Sequence, residues 1–525
     1  MVAINQNDLR VRNAENLIES LSDDKSSYVF MGRSSKWEDD VAIPMVPRQR
    51  AGDQSPPYPE NNYRDFIKTY DQMLSLKKIY RSDLYHMIPR IDWTSGVVYD
   101  MYRHDYTEFR RSSTNGSNLY DCLFFVITQS RDVYVCLDNG MNSQSLVEPQ
   151  STTDEPFYTS DGYQWLRLYN VTTMNMITHS TNNFIPIVDK KVSSTVNGGV
   201  YTVVIESSGN DYTSYPAGAP NLVPYYYCKI TGNGTGAIAR VTISNNRISE
   251  IRVVNEGSGY SHAILDFVAN RVYASIGDLN NNVNGLNPLG DGTFESTVII
   301  SPPGGWGYEK IDSFDPDVSE EESKKSIRRL ARQLGGTRVG VFSDMKSQLS
   351  DFIMDTNFRQ IGIIRNPQTI ESEQDAETLS SHYKVKVEES QSSVNDRYFV
   401  GETVTQTKVD ELDPTIKYVA KALVVGWDNE NNVLSYIQDG SIHIDENHNE
   451  LYLISGSEPI VGLLSGKVSN PDMNFNTPRN FSTYLYGYSY PEVVKYSGEM
   501  VYLTNLPPVQ RIEDQTERIS MIINY

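Results

Sequence analysis

Cysteine is nearly absent: the 525 residues hold three, Cys122, Cys136 and Cys228. A sparse, odd set excludes a disulfide framework and fits a reducing compartment. No Cys-x-x-Cys pair occurs, which removes the usual structural zinc site. Long apolar runs are missing too, and no stretch approaches the roughly 18 residues that would suggest a membrane span. The N-terminal "MVAINQNDLRVRNAENLIESL" lacks a basic region followed by an apolar one. It therefore reads as a short amphipathic helix and not as a signal peptide. Positive charge is in deficit, with 46 Lys and Arg against 67 Asp and Glu, a net charge of −21. That balance excludes duplex nucleic acid as the main partner, because phosphate neutralisation needs clustered Lys and Arg. Its ordinary consequences are solubility and self-repulsion.

Signatures of chemistry are equally scarce. There is no HExxH and no GxSxG. His443 and His448 in "HIDENHNE" miss the i, i+4 spacing of a helical metal site, and an exposed turn is the simpler reading. "DNENNVLSYIQD" carries Val433 where a calcium loop requires Gly. "GNGTG" has no Lys-Ser/Thr after it, so it is not a phosphate cradle. Adjacent acids such as Asp39–Asp40 and Glu513–Asp514 are expected by chance among 67 carboxylates. The expectation is a chain with no catalytic residue, no metal and no cofactor. The tryptophans Trp37, Trp93, Trp165, Trp306 and Trp427 read as core or interface anchors, with a sugar-platform role left open for Trp306 and Trp427 beside turns.

What the chain has is aromatic and β-forming. With 35 Tyr and 16 Phe it is suited to strands and interfaces. Its length implies about two to four domains. Runs such as "LFFVITQ", "VYVCLD", "WLRLYNV", "FIPIV", "RQIGII" and "EMVYLTNL" alternate with Gly, Asn, Asp and Pro clusters. They read as strands of a layered antiparallel sandwich. Three helices interrupt them. The first covers Asn7 to Leu21, and the second Tyr63 to Tyr85. The third starts at a Ser319–Glu322 capping box, carries an Ile327, Leu330, Leu334 stripe, and stops at Gly335–Gly336.

A repeat is visible: "VVIESSGNDYTSYP" is echoed by "IRVVNEGSGYSHAI", aligning Gly209 with Gly257 and Tyr212 with Tyr260 at an offset of 48. It lies in a β module placed at 190–304. A polar entry from Asn366 precedes a second module at 371–484, with "DNENN" as a hairpin turn. The predicted organisation is a core sandwich at 1–189, the first insert at 190–304, core continuation at 305–370, the second insert at 371–484, and C-terminal core strands at 485–525.

The C-terminal "SGEMVYLTNLPPVQRIEDQTERISMIINY" poses the question of a reactive site or a turn. Arg511 to Arg518 has no His, Cys or Lys, so it reads as a polar turn at Glu513 to Thr516 between strands. Pro507 and Pro508 are expected to end the pairing of the first strand. This stretch also resembles the C-terminus of the baseplate wedge subunit known as gene product eight in T-even-type contractile-tailed phages. "YVFMGRSSKW", "MIPRIDW", "YVCLD", "DGYQWLRLY", "GGWGYE" and "FRQIGIIRNP" resemble the same family in the same order. The likeness covers about 25–189, 304–370 and 485–525; the two inserts have no counterpart in the prototype.

The resemblance implies a virion protein of the tail baseplate, assembled in the host cytoplasm. It implies a homodimer contacting neighbouring wedge proteins, and no enzymatic activity. Trp37 and Trp93, in matched motifs, are its interface candidates. The inserts resemble, more weakly, small β modules of phage tail proteins. Whether they bind wedge subunits, decorate the particle or touch a host surface stays open. The alternatives are a receptor- or glycan-binding tail protein acting through exposed Trp or Tyr of the inserts, and, more remotely, a glycan-cleaving tail enzyme with two carboxylates in a cleft.

Overall fold

The computed structural model describes residues 6–22, 26–37, 56–153, 155–188, 196–212, 225–267, 271–286, 290–307, 319–346, 356–369, 376–388, 395–409, 413–415, 417–438, 453–477, 484–511 and 516–525. It is mainly β, 42% strand and 13% helix, in antiparallel sheets. The chain divides into two units. One holds Met1–Asn16, Tyr85–Gly340 and Ile522–Tyr525, and the other Leu17–Leu84 and Val341–Met521.

In the second unit a five-stranded sheet runs in the order Thr378–Ser380, Met73–Lys78, Ser27–Gly32, Phe358–Arg365, Glu499–Val509. Its middle strands are buried on both faces: every residue of Ser27–Gly32 is inaccessible, as are all but the last of Phe358–Arg365. That explains why Ser27–Gly32 reads as an unbroken run and not as an alternating one, whereas Phe358–Arg365 buries Arg359 and Gln360 by bonding them to the Ser34 carbonyl at 2.6 Å and Asn505 Oδ1 at 2.8 Å. Val29 pairs with Ile363, and Ile363 with Tyr502. Tyr28, Phe30, Met73, Leu76, Ile364 and Leu379 form the core beneath. The second helix is shorter than its periodicity suggests. It covers Tyr63–Asp71, capped by Asn62, whose Oδ1 accepts from the Asp65 N–H at 2.9 Å. Met73–Lys78 leaves it as a strand because Ser27–Gly32 and Thr378–Ser380 pair with its two edges. Cross-strand pairing outweighs the weak helical preference of "MLSLKK".

The strand Glu499–Val509 also departs from expectation, since it continues through Pro507 and Pro508. The register slips between Phe358 and Gln360, so Gln360 faces Asn505 while Phe358 faces Val509. The prolines sit in that irregularity, on the edge of the sheet, where missing N–H donors are tolerated. A final strand covers Glu517–Asn524. Residues 512–515, including Glu513 and Asp514, lie outside the described residues.

The same unit holds a seven-stranded sheet in the order Val468–Ser469, Ile460–Gly462, Thr403–Val409, Lys417–Asp428, Val433–Ile437, Tyr383–Lys386, Tyr488–Ser489. Val385, Val404, Val424, Leu434, Tyr436 and Ile460 fill its core. "DNENN" is its hairpin turn: Asp428 Oδ1 accepts the N–H groups of Glu430 and Asn431, both at 3.0 Å, and Asn432 takes φ +50°.

In the first unit the sheet order is Phe125–Ile127, Asp132–Asn139, Tyr163–Asn170, Phe157–Tyr158. Tyr134, Cys136, Trp165, Leu166 and Trp306 lie in its core with Leu330, Ala331 and Leu334 of the helix Ser319–Leu334. Ile327 packs half-buried against them, so the expected stripe faces inward. Gly335 ends this helix at φ +72°, and the Gly336 N–H closes on the Ala331 carbonyl at 2.7 Å, a Schellman closure. The capping-box side chains, Ser319 and Glu322, lie outside the described side chains.

Residues 200–300 of the same unit supply a three-stranded sheet, Tyr225–Lys229, Ile238–Ser244, Arg247–Asn255, and a ribbon of Val200–Ser208 with Phe294–Ile300. The ribbon serves two cores. Tyr201 and Ile299 join the Trp165 core, whereas Val200, Val298 and Ile300 join a separate core with Tyr226 and Ile251. The sequence repeat is a structural one. Each copy is a nine-residue strand, a glycine at φ near +60°, and a buried tyrosine. Each tyrosine lies against a further glycine: a Cβ on Gly290 would fall 2.2 Å from Tyr212 Cζ, and one on Gly234 would fall 2.4 Å from Tyr260 Cγ. The "GNGTG" tract thus clears space for the Tyr260 ring, whose hydroxyl donates to the Ile230 carbonyl at 3.1 Å.

Candidate functional site

The two interface candidates are bonded within their own surroundings. Trp37 is 9% exposed, its Nε1–H donates to the Leu506 carbonyl at 3.1 Å, and the Arg33 guanidinium lies 3.6 Å over its ring. Trp93 is half-buried against the Trp165 core and donates to Ser145 Oγ at 3.1 Å. Trp165 and Trp306 are fully buried, which removes Trp306 as a sugar platform. Trp427 is half-buried, with Tyr398 edge-on at 5.2 Å and the Lys467 ammonium 5.1 Å from its ring centroid, so internal groups already occupy it. His443, His448, Asp39 and Asp40 lie outside the described residues. Among the described residues no three His, Cys, Asp or Glu could hold a metal, and no helix is long and apolar enough to cross a membrane.

Titratable groups with displaced pKa values sit in closed networks. Burial works against ionising Asp100, yet hydrogen bonds from Ser113 Oγ at 2.6 Å, Thr114 N–H at 3.0 Å, Thr114 Oγ1 and Leu123 N–H at 2.9 Å hold its carboxyl below the usual range. Burial likewise opposes Asp105, but bonds from Arg103 and Arg110 lower it to about 2. Arg103 grips Asp105 with Nε at 2.8 Å and Nη2 at 2.9 Å, and Glu206 of the ribbon with Nη2 at 3.0 Å. Burial, seconded by Lys384, drives His382 down to about 3; its Nδ1 lies 3.2 Å from the Leu74 carbonyl. Asp100 and His382 bond backbone groups of neighbouring segments, whereas Arg103 ties the side chains of Asp105 and Glu206 together.

The surface offers a different kind of site at one end of the seven-stranded sheet. Leu485 and Tyr488 exchange backbone bonds, the Leu485 N–H to the Tyr488 carbonyl at 2.8 Å and the reverse at 3.1 Å. Tyr486 and Gly487 between them take φ +50° and +80°. This is a two-residue hairpin turn with both central residues left-handed, the primed type that prefers Asn-Gly. Here the first position is tyrosine, 57% exposed, beside Leu485 at 56%. The loop 472–476 wraps the tip: Asn476 Oδ1 accepts from the Tyr486 N–H at 2.9 Å, and the Phe475 carbonyl from the Gly487 N–H at 2.9 Å. Asp472 Oδ1 accepts from the Asn474 N–H at 3.1 Å. Sequence reading missed Tyr486. The available signal was the Tyr-Gly pair in "YLYGYSY", a turn dipeptide between β-forming residues. No family model matches the chain, and no curated protein matches it.

Proposed function

We propose that the chain is a structural wedge subunit of a contractile phage tail baseplate. It acts by association, with itself as a dimer and with neighbouring wedge proteins, and transmits baseplate rearrangement without a reaction of its own. Its place is the tail of the virion. The reading rests on the seven collinear motifs, and one observation carries it beyond sequence. Three of the motifs, "YVFMGRSSKW", "FRQIGIIRNP" and "SGEMVYLTNLPP", are far apart in the chain yet supply three consecutive strands of one sheet. Segments that share one packing environment keep their residues together, as matched core strands would.

Two measurements test it. Immunogold labelling of the phage particles encoding this chain, with antibody to it, is expected to mark the tail tip; label confined to the head, or absent from particles, overturns the assignment. Light scattering of the purified chain across concentration is expected to give about twice the monomer mass. A trimer counts against the wedge and for a fibre or spike.

A further inference from the structure

The three-stranded sheet Tyr225–Lys229, Ile238–Ser244, Arg247–Asn255 buries one face through Tyr226, Ala239, Val241 and Ile251. Its other face is half open, and the register lays two rows across it. One row is Tyr227, Arg240, Arg252, and the next is Tyr225, Thr242, Glu250, all half-buried. Arg240 and Arg252 are thus set directly opposite each other, with Cβ atoms about 5 Å apart, a like-charge pairing that sheets disfavour. By contrast, Arg365 faces Glu499 across its own sheet. Arg252 is answered in part, since its Nε meets Glu250 Oε1 at 2.5 Å. Arg240 makes no hydrogen bond or ion pair among the described residues. Its guanidinium lies 4.9 Å from the Tyr225 ring centroid, and its Nε is buried without a partner. The Arg252 guanidinium lies 4.9 Å from the Tyr158 ring centroid, and the Tyr158 hydroxyl is likewise buried without a partner. Asp138, whose charge also reaches Tyr158, is committed to the Gly140 N–H at 2.9 Å and Thr202 Oγ1 at 3.1 Å. The surplus here is of donors, and the two rows hold a single acid, so the missing component is an acceptor.

We propose that this face binds a phosphate group, free or as a monoester, between Arg240 and Arg252. Contact with a tyrosine ring holds each guanidinium in place before any ligand arrives. Arginine presents its N–H groups as a fork, and two facing forks can share the oxygens of one tetrahedral dianion. A carboxylate has two oxygens, which a single fork already fills. A dianion between the guanidinium groups also replaces their mutual repulsion with attraction, so binding relieves the cost of the opposed pair. The net charge of −21 disfavours a dianion over the surface at large, which makes this donor-rich face the exception. The assignment stands independently of the baseplate reading, since it depends on this face alone.

The test is a phosphorus-31 NMR titration of the full chain at constant ionic strength, with inorganic phosphate in one arm and glycerol phosphate in the other. Saturable binding is expected. Equal or tighter binding of inorganic phosphate identifies a free-ion site, and tighter binding of the ester identifies a phosphorylated ligand. Arg240→Gln removes one fork and should weaken binding about tenfold or more. Its unfolding midpoint in phosphate-free buffer should hold or rise, because the like-charge opposition is gone. This variant separates lost binding from lost fold. Arg240→Lys keeps the charge without the fork, so its affinity should fall between the two. Undiminished binding by Arg240→Gln overturns the proposal, as does a wild-type chain with no saturable phosphate binding. Hexaglutamate binding as tightly as phosphate also overturns it, and would assign the face to an acidic protein segment.

Discussion

At the scale of single residues, the clearest physical signature is a buried histidine. His382 lies fully inside the second unit with its Nδ1 against the Leu74 carbonyl and Ser380 Oγ. Desolvation keeps it neutral, lowering its pKa from 6.5 to about 3. In the unfolded chain it would take a proton near its ordinary value. The penalty is therefore absent above about pH 6.5, grows as pH falls below that, and is complete only near pH 3. Stability should drop by up to about 1.4 kcal/mol per pH unit on the acid side from this group alone. Urea titrations between pH 7 and 5 should show a shallower slope in His382→Asn, which cannot titrate; an unchanged slope would mean that other groups set the acid limit. Tyr486 teaches the complementary lesson. A left-handed tyrosine costs about 1–2 kcal/mol, and sequence pattern marks the turn but not why tyrosine fills it.

At the scale of elements, the 48-residue repeat becomes a packing rule: a strand, a left-handed glycine, a tyrosine, and a second glycine under the ring. Gly234→Ala and Gly290→Ala should each destabilise the protein by about 1–3 kcal/mol, because the added methyl meets an aromatic ring below 2.5 Å. Gly277→Ala is the control. It lies in the helix Ile276–Asn281, where a Cβ meets only Ser275 Oγ at 3.7 Å, so alanine should stabilise by about 0.5–1 kcal/mol. Denaturant midpoints check both signs. The alternation of β runs and turn residues made hairpins such as Ile238–Ser244 with Arg247–Asn255 and Lys417–Asp428 with Val433–Ile437 legible, since each closes on short-range pairing. The element least legible was Met73–Lys78, whose apolar spacing fits a helix as well as a strand. Its state is set by the strands Ser27–Gly32 and Thr378–Ser380, the second roughly 300 residues away.

At the scale of the molecule, each unit closes its own hydrophobic cores, the Trp165 and Tyr226 cores in one and the Tyr28 and Tyr436 cores in the other. Calorimetry should therefore resolve more than one cooperative transition, with a van 't Hoff enthalpy below the calorimetric value. Arg103→Met should lower only one of them. It removes a guanidinium that is nearly buried and ties the loop at Asp105 to Glu206 of the ribbon, at a cost of about 2–3 kcal/mol after allowing for partial exposure of the two acids. A single coincident transition would show that the units unfold as one. Local pattern was enough to establish the β class, the helix Ser319–Leu334 with its glycine stop, the repeat and the "DNENN" turn. The helix stop and the turn depend on interactions within a few residues, and the β class and the repeat show in local residue pattern, all of which sequence order preserves. Long-range packing alone set the strand order that brings residues 27–32, 358–365 and 499–509 side by side, the passage of the edge strand through Pro507–Pro508, and the burial of Trp37 and Trp306. It also left Tyr486 outside, because burial and exposure are properties of which distant segments meet, and no single segment encodes its partners.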